Sequence, residues 1–454
     1  MKAGVIVNLG LACGAIADHA GRRATPDLIQ VLSTVANEPS EIGEDTAASV
    51  SDLVSQLQHG TQSTTPGSVQ AALSSIEQAV SGASSIVDAA TAITAAGLIP
   101  NEIASFLNGY LDSELNSRDN SNPAAKQNIY PYKAAADAPY SVPESTLRAA
   151  IHIPDSFSFG RNGNTPVILI PGTAIPAGTT YYYSFSKLAN SSAGIDVVWV
   201  NMPRASLSDA QVNAEYVAYA INYISALSAG QSVGVISWSQ GGLDTQWALK
   251  YWPSTRLIVA DFIAISPDFH GTIEANVLCP ALDHLACTPS IFQQEWTAQF
   301  IQVLRADDGD SAYVPTTTVY SSFDEIVEPQ SGGSNASAFL RDARGVGVTN
   351  AHLQTVCADK PAGGFYTHEG VLYNPLAWAL AADAIAHRGP ASLDRIDLAR
   401  VCQQVVPPTL GLDDVLGTEG LLLVAVAEIL AYQPLATSEP AIRAYAKRNQ
   451  TVVG

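Results

Sequence analysis

A serine lies where a buried strand is predicted to turn into a helix. The apolar run at residues 232–236 leads into the pentapeptide SWSQG at residues 237–241, and helix-forming residues follow from Gly242. A turn this sharp lifts the serine hydroxyl above the carboxyl end of the strand and points the first helical N–H groups at any negative charge that forms there. The usual pattern has glycine two residues before the serine, where this chain has Ser237. We therefore predict that Ser239 is a nucleophile.

A nucleophilic serine needs a base, and histidine is the usual one. The histidines that follow the serine in the chain are His270, His284, His352, His368 and His387. His387 ends a helix-like stretch, where a cationic residue commonly caps the last turn. His368 lies in a loop bounded by glycines, residues 363–370, and such loops often carry catalytic groups, although a surface histidine fits the same pattern. We predict that His368 is the base.

The acid that orients this base is expected after the strand predicted at residues 317–321. Asp324 follows that strand, at the carboxyl edge where catalytic groups gather in open α/β sheets. Glu325 and Glu328 have the same chemistry and are the alternatives, but both are expected beyond the tip of the strand. Asp324 would hold the tautomer of His368 and stabilise its imidazolium, while His368 takes the proton of the serine and returns it to the leaving group.

An acyl-transfer site also needs at least two hydrogen-bond donors for the oxyanion. The backbone N–H of Gln240, the residue after the serine, is the first donor. The second is expected in the loop after an earlier strand, and the apolar strand predicted at residues 165–170 ends in Pro171-Gly172-Thr173. Thr173 offers both an N–H and a hydroxyl. We predict that Thr173 and Gln240 form the oxyanion hole.

The elements that must position these residues alternate along the chain. The order serine, acid, histidine is that of the α/β-hydrolase fold. From residue 143 onward, β-runs alternate with helical segments, such as the helix predicted at residues 209–227, and this alternation predicts a largely parallel sheet. The predicted fold class is therefore α/β, an α/β-hydrolase fold preceded by an α-helical N-terminal extension.

The chain divides into four predicted segments. Residues 1–17 have one positive charge, an apolar stretch and an Ala-x-Ala end, which is typical of a secretory signal peptide. Residues 18–115 have the periodicity of helices, with apolar stripes at Val69, Leu73, Ile76 and Val80 and at Ile103, Leu107 and Leu111. The polar, proline-bearing residues 116–139 are interpreted as a linker, and residues 140–454 as the hydrolase domain.

The composition of the 454-residue chain excludes several classes of function. The formal net charge is −20, so nucleic acid and anionic membranes would repel the protein. Any recruitment to a lipid surface must therefore use apolar contacts. Since the sequence has no glycine-rich phosphate loop and no His/Cys cluster with metal spacing, neither a cofactor nor a metal is predicted. The apolar run at residues 421–430 is too short to span a membrane and has the composition of a core helix.

If the protein is secreted, its cysteines can form disulfides and its sequons can be glycosylated. If Cys13 leaves with the signal peptide, four cysteines remain, and they allow three disulfide pairings in an oxidising environment. These cysteines are Cys279, Cys287, Cys357 and Cys402, of which the first two are close in the chain. Candidate glycosylation sequons begin at Asn190, Asn335 and Asn449, a short pattern that also occurs by chance.

Six motifs resemble those of the Candida antarctica lipase B family of fungal lipases, in the same order. They are IPGT, QVNAEY, WSQGGL, SPDFHGT, VPTT and DEIVEPQ, and the resemblance extends from residue 140 to residue 448. It implies an α/β-hydrolase in which Ser239, Asp324 and His368 form the catalytic triad. It also implies that Thr173 and Gln240 form the oxyanion hole.

The same resemblance implies roles for further residues near the nucleophile. Trp238 would form the floor of the pocket for the alcohol part of the substrate. Asp268 and Gln294 would be polar neighbours of the nucleophile. Ile326 and Val327 would provide apolar lining. Ordinary core packing for Trp238 and a turn cap for Asp268 are the alternatives.

The resemblance implies the disulfide Cys357–Cys402, which matches a bridge of the family. We predict that Cys279 and Cys287, which are close in the chain, form the second pair. In the family, the region corresponding to residues 273–288 is a short mobile helix beside the mouth of the active site, and the second bridge would staple it. Together with residues 421–430 it would form the apolar rim of an entrance. Two other family bridges have no cysteines in this chain.

These implications predict a secreted serine carboxylester hydrolase of lipase type that works through an acyl-enzyme without a cofactor. The expected substrates are acylglycerols or related apolar esters, including esters at a lipid–water interface. One alternative is that the same triad catalyses acyl transfer or amide hydrolysis. Another is a non-catalytic secreted lipid-binding module that keeps the fold.

Overall fold

The computed structural model of the chain describes residues 28–37, 44–59, 63–100, 114–190, 194–275, 279 and 286–447. Some of the predictions above concern other residues. The signal peptide, the apolar stripe at Ile103, Leu107 and Leu111, His284 and the sequon at Asn449 all lie outside the described residues.

A seven-stranded sheet forms the centre of the described structure, with its strands in the order β1-β3-β2-β4-β5-β6-β7. The strands are β1 Ile151–His152, β2 Thr165–Ile170, β3 Ile195–Val200, β4 Val233–Trp238, β5 Val259–Ile265, β6 Thr316–Tyr320 and β7 Val348–His352. Strand β1 is antiparallel to β3, and all other neighbouring strands are parallel. The prediction of an α/β-hydrolase fold with a largely parallel sheet is confirmed.

Each face of the sheet has its own hydrophobic core, because successive side chains of a strand point to opposite faces. Val167 and Leu169 of β2 belong to one core, whereas Ile168 and Ile170 belong to the other. Strands β2, β3 and β4 are buried at every position. Their sequences are therefore nearly continuous apolar runs, as expected for parallel strands covered on both faces.

Helices cover both faces of this sheet. The α-helices are α1 Leu28–Ala36, α2 Glu44–His59, α3 Val69–Val80, α4 Ile86–Ala95, α5 Glu144–Ala149, α6 Ala177–Tyr182, α7 Ala210–Leu227, α8 Gln240–Tyr251, α9 Pro289–Gln294, α10 Gln299–Arg305, α11 Leu353–Val356, α12 Pro375–His387, α13 Leu398–Val401, α14 Leu412–Glu419, α15 Leu421–Ala431 and α16 Ala444–Lys447. Short 3-10 helices lie at Glu114–Asn116, Arg161–Gly163, Phe185–Asn190, Pro203–Ser206, Pro253–Leu257, Gly333–Asn335, Pro361–Gly363, Gly370–Tyr373 and Leu393–Arg395.

The N-terminal helices pack on the hydrolase domain as well as on one another. Helix α1 contacts α2, and α4 contacts both α2 and α3. Helices α1 and α4 also contact α15, and α3 contacts α14. Leu32 and Ile93 belong to the same hydrophobic core as Leu422 and Val426 of α15. The apolar run at residues 421–430 is thus part of a buried helix, in agreement with its composition.

Residues 116–139, interpreted above as a linker, lie against the hydrolase domain. Just before them, the backbone carbonyl of Leu115 accepts hydrogen bonds from the side chains of Trp199 and Asn201, each at 2.8 Å. The Asn120 side chain donates to the Ala149 carbonyl at 2.8 Å. Ile129 is 3% exposed and belongs to the core of one face of the sheet. The division of the chain remains a prediction, but residues 115–138 are packed rather than extended away from the domain.

The structure contains the disulfides Cys279–Cys287 and Cys357–Cys402, with Cα–Cα distances of 6.0 and 5.3 Å. Among the candidate sequons, Asn335 is exposed at the end of the 3-10 helix Gly333–Asn335. None of the helices in the described ranges is both long enough and apolar enough to cross a membrane.

Candidate active site

Ser239 lies between strand β4 and helix α8, in a conformation that few residues adopt. Its backbone has φ 55° and ψ −133°, and its N–H donates to the carbonyl of Ile265 on the neighbouring strand at 3.0 Å. Such strain persists only when the surrounding structure holds the residue in place, and it is typical of a nucleophile on a strand-to-helix turn. The predicted turn is therefore present at the predicted residue.

The turn requires close approach of the backbone on both sides. A Cβ atom on Gly241 would lie 2.6 Å from the carbonyl oxygens of Ile170 and Pro171, so only glycine fits there. A Cβ on Gly242 would lie 2.7 Å from Pro267 and 3.4 Å from the hydroxyl of Ser237. Because Gly242 has no side chain, the position two residues before Ser239 can hold a serine instead of glycine.

Asp324 and His368 are hydrogen-bonded to each other in a buried setting. The Nδ1 atom of His368 lies 2.9 Å from both carboxylate oxygens of Asp324, and His368 and Asp324 are 2% and 1% exposed. Oδ1 of Asp324 also accepts from the backbone N–H groups of Ile326 and Val327, at 3.1 and 2.8 Å. These donors orient the carboxylate, and the carboxylate in turn sets the His368 tautomer with the proton on Nδ1.

Trp238 joins the histidine loop to the strand that carries the serine. Its indole Nε1 donates to the backbone carbonyl of His368 at 3.1 Å, and the centroids of the indole and imidazole rings are 4.9 Å apart. Trp238 directly precedes Ser239, so this contact connects the loop of His368 to the turn that carries Ser239. Asp324 follows β6 and Ser239 follows β4, which puts both at the carboxyl edge of the sheet.

The charges around His368 favour its protonated form. Burial, the largest single effect, lowers the pKa of this imidazole, but the carboxylate of Asp324 together with Glu325 and Asp268 outweighs burial. The result is a pKa above the ordinary value for histidine. An imidazole with this environment can accept a proton and stabilise the resulting cation, which is what a general base next to a serine must do.

Thr173, Gln240 and Gln294 form a hydrogen-bonded group beside Ser239. The Thr173 hydroxyl lies 2.8 Å from Oε1 of Gln240 and 3.0 Å from Oε1 of Gln294. Nε2 of Gln294 donates to Oε1 of Gln240 at 3.0 Å. Thr173 directly follows Gly172, where an added Cβ atom would lie 2.9 Å from the Cβ of Ser239. The two residues predicted to carry the oxyanion donors therefore contact each other, and the segment that carries Thr173 lies against Ser239.

Asp268 is buried after strand β5, and neither of its side-chain oxygens has a hydrogen-bond partner among the described residues. Burial raises the pKa of Asp268 to about 7, an effect that the nearby His368 opposes. Asp244 on α8 has a similar environment: burial first, and then Asp268, raise its pKa well above the usual range. Asp244 also accepts from Nε2 of Gln240 at 3.4 Å. Burial thus raises the pKa of two carboxyl groups close to the turn.

The remaining predicted residues have the following positions. Ile326 and Val327 are 6% and 1% exposed and belong to a hydrophobic core of the domain. The alternative acid Glu325 accepts a hydrogen bond from the backbone N–H of His368 at 3.0 Å, not from the ring. The alternative base His352 is hydrogen-bonded to Ser322 and Thr355, at 2.6 and 2.7 Å. None of these bonds joins His352 to Asp324.

Asp244, Glu369 and Glu419 are neighbours of the site that sequence reasoning missed. Burial raises the pKa of Glu369 well above the usual range, with further contributions from Glu325 and Glu419. The sequence signal for Glu419 is a single carboxyl residue within an apolar stretch. Such a residue is expected to be buried, and carboxyl groups are rarely buried unless they are paired. Within the described ranges, no group of histidine, cysteine and acidic residues could hold a metal ion.

Two known proteins are similar to this chain. Lipase B of Pseudozyma antarctica is 31% identical over 325 residues, which cover 69% of this chain and 88% of that protein. Aspergillus fumigatus lipase B, known from a crystal structure, is 59% identical and has a TM-score of 0.88. That comparison covers 92% of this chain and 99% of the other. No protein-family model matches the chain.

Proposed function

Because this chain belongs to the lipase B family of fungal lipases, we propose that it is a secreted serine hydrolase that cleaves acylglycerols or related apolar esters. Membership of the family makes it a carboxylic ester hydrolase. The observation that carries it is the pair of 2.9 Å contacts between Nδ1 of His368 and Asp324, beside the strained backbone of Ser239.

In the proposed mechanism, Ser239 attacks the ester carbonyl while Nε2 of His368 takes its proton. Asp324 stabilises the imidazolium, which then protonates the departing alcohol and leaves an acyl-enzyme on Ser239. Water, activated by the same imidazole, releases the acid. The backbone N–H groups of Gln240 and Thr173 and the Thr173 hydroxyl would hold the negative charge of each tetrahedral intermediate. Every catalytic group in these steps belongs to the chain itself.

The exposed apolar residues support an apolar substrate. Ile273, Trp296 and Phe323 are 45%, 55% and 41% exposed. The N–H of Ile273, in the loop after β5, donates to the carbonyl of Glu328 in the loop after β6, which also carries Phe323. The N–H of Trp296 donates to the carbonyl of Thr272, next to Ile273. All three are therefore at the edge of the sheet that carries Ser239. Since the net charge of −20 cannot attract an anionic surface, these side chains are the proposed contacts with a lipid–water interface.

We also propose that residues 18–115 form an accessory segment that takes no part in the chemistry. Its described helices α1 and α4 pack on the apolar helix α15. Leu32 and Ile93 bury apolar surface there, in the same core as Leu422 and Val426. The segment would therefore affect stability, or access to the site, more than turnover at each site.

A fluorophosphonate tests the proposal directly, because it reacts with an activated serine and peptide mapping identifies the labelled residue. We expect labelling of Ser239, and loss of both labelling and ester hydrolysis in Ser239→Ala. Ser322→Ala is the matched control, since Ser322 contacts His352 at 2.6 Å but that ring faces the Thr355 hydroxyl instead of a carboxylate. Labelling at Ser322, or an active Ser239→Ala variant, would contradict the proposal. Retained lipid binding without labelling would favour the non-catalytic alternative.

A further inference from the structure

Glu419, the last residue of helix α14, is hydrogen-bonded to both ends of the loop that contains His368. Its Oε1 atom accepts from the hydroxyl of Tyr373 at 2.6 Å and from the hydroxyl of Thr367 at 3.0 Å. Glu419 and Tyr373 are fully buried, and Thr367 is 1% exposed. A single buried oxygen thus joins one helix to the residue before His368 and to the residue five positions after it.

The loop between these two anchors is tightly folded. The Thr367 hydroxyl accepts from the backbone N–H of Gly370 at 2.8 Å while it donates to Glu419. A Cβ on Gly370 would lie 2.9 Å from that hydroxyl and 3.2 Å from the hydroxyl of Tyr373. From the opposite side, the carboxylate of Glu325 accepts from the backbone N–H of His368 at 3.0 Å. Movement of either anchor would therefore displace the backbone that carries the imidazole.

Packing alone does not explain a carboxyl group at this position. The second oxygen of Glu419, Oε2, is buried and has no hydrogen-bond partner among the described residues. Burial raises the pKa of Glu419 to about 7, while Tyr373 and Thr367 oppose that rise. Burying a polar atom without a partner is unfavourable, and apolar residues surround the site on both sides in the chain, at Leu416 and Leu421. A residue retained at such a cost is a candidate for function.

We propose that Glu419 is a positioning residue, which holds the imidazole of His368 in line with Ser239 by anchoring residues 367–373 to helix α14. The inference rests on the proposed function, because it presupposes that His368 is the base. Glu419 touches no reacting atom and acts through Thr367 and Tyr373. Since α14 contacts α3 and leads through Gly420 into α15, the anchor also links the histidine loop to the helices on which the N-terminal segment packs.

The test compares Glu419→Gln with Glu419→Met, and kcat is measured per site after titration with a chromogenic phosphonate. Glutamine keeps an oxygen that can accept from both hydroxyls, whereas methionine fills a similar volume with only a weakly accepting sulfur. We expect Glu419→Met to lower kcat per titrated site by roughly 10- to 100-fold, as small displacements of a catalytic group do. KM for a short soluble ester should change little, and Glu419→Gln should retain most of the kcat.

Asp414→Asn is the matched control, because Asp414 is a buried carboxyl on the same helix whose partners are Lys187 and the backbone of Gly411. It should lower the melting temperature without lowering kcat per titrated site. If Glu419→Met does not fold, Tyr373→Phe removes one of the two donors and should lower kcat roughly 3- to 10-fold. Unchanged kcat in that variant would overturn the inference.

Two further results would also overturn it. One is normal kcat per titrated site in Glu419→Met with only a loss of stability, which would make Glu419 purely structural. The other is an equal loss in Glu419→Gln and Glu419→Met, which would exclude the acceptor role. Phosphonate labelling of Ser239 in the unaltered protein separates the two proposals. Without labelling the proposed function fails, whereas labelling combined with normal turnover in the Glu419 variants refutes only the positioning role.

Discussion

The indole nitrogen of Trp238 donates a hydrogen bond of 3.1 Å to the backbone carbonyl of His368. The two residues are 130 positions apart in the chain, and the tryptophan directly precedes the serine of the strand-to-helix turn. One hydrogen bond therefore connects the element that carries the proposed nucleophile with the loop that carries the proposed base. Any change that removes it should affect turnover as well as stability.

Trp238→Phe keeps an aromatic ring against His368 but removes the N–H donor. The carbonyl of His368 is then buried without a partner, which costs about 1 to 3 kcal/mol in the free energy of unfolding. We expect kcat to fall as the loop loosens. Trp247→Phe is the control, because Trp247 also loses a donor bond, of 3.0 Å to Tyr445, but does not contact the histidine. Equal kcat in the two variants, measured on a soluble ester, would contradict this prediction.

Thr173→Val tests the hydroxyl in the proposed oxyanion hole. Valine keeps the shape and the backbone N–H but removes the donor, so kcat should fall by roughly 10²- to 10³-fold with a smaller change in KM. Thr173→Ser keeps a hydroxyl and should restore most of the rate. In the resting structure this hydroxyl lies 2.8 Å from Gln240 Oε1, so its hydrogen must turn toward the substrate during the reaction. Steady-state kinetics with an unchanged kcat in Thr173→Val would remove Thr173 from the site.

Asp261 on β5 should make the protein less stable as the pH rises. It is 1% exposed, neither oxygen has a partner among the described residues, and burial raises its pKa from 3.8 to about 7. The folded state therefore keeps a proton that the unfolded chain releases above about pH 4, so this residue's contribution to stability falls between about pH 4 and about pH 7. The side chain of Asp261→Asn does not titrate. The melting temperature of this variant minus that of the unaltered protein should therefore increase as the pH rises from about 4 to about 7.

Asp196→Asn is a suitable comparison for this pH series. Asp196 lies on the same sheet, but its carboxylate accepts from the N–H and the hydroxyl of Ser158, both at 2.6 Å. Its replacement removes a hydrogen-bonded carboxylate and should lower the melting temperature at neutral pH. The prediction would be refuted if the difference in melting temperature between Asp261→Asn and the unaltered protein stayed constant across the whole pH interval.

The disulfide that closes the longer loop should contribute more to stability, because the entropy of loop closure grows with the logarithm of loop length. The bridges Cys357–Cys402 and Cys279–Cys287 span 45 and 8 residues. By loop-closure entropy, their removal by paired Cys→Ser changes should lower the free energy of unfolding by about 4 and about 2.5 kcal/mol, as upper values. Peptide mapping under non-reducing conditions should recover both pairs. A Cys287–Cys357 crosslink would contradict this pairing in the purified protein.

A chain that begins at Glu114 should hydrolyse a short soluble ester with a kcat per titrated site close to that of the full chain. Leu115 and Asn120 bond to the hydrolase domain, so the cut must precede them. Loss of the N-terminal helices exposes α15, and we therefore expect a lower melting temperature and a tendency to aggregate. If the shortened protein folds and is labelled at Ser239, yet has no turnover on the soluble ester, the segment belongs to the active site.

The sequence alone predicted those features that depend on neighbouring residues. The turn at Ser239 was recognisable because an apolar strand, a small-residue motif and a helix follow one another within a short stretch. The parallel sheet was predicted from the alternation of apolar runs and helices, and six colinear motifs indicated the family, which the similarity to two fungal lipases confirms. The position at the strand tip favours Asp324 over Glu325, and the structure puts Asp324, not Glu325, against the imidazole ring.

The tertiary structure alone decided the contacts between residues that are distant in the chain. No local pattern shows that Glu419 meets Thr367 and Tyr373, 52 and 46 positions earlier, or that Asp244 lies near Asp268. The same is true of helices α1 and α4, whose apolar stripes predict helices but do not name α15 as their partner. Periodicity specifies which side of an element is apolar, whereas the partner depends on how the complete chain fills its core. The environment of each buried carboxyl, and hence its pKa, is therefore a property of the packed fold.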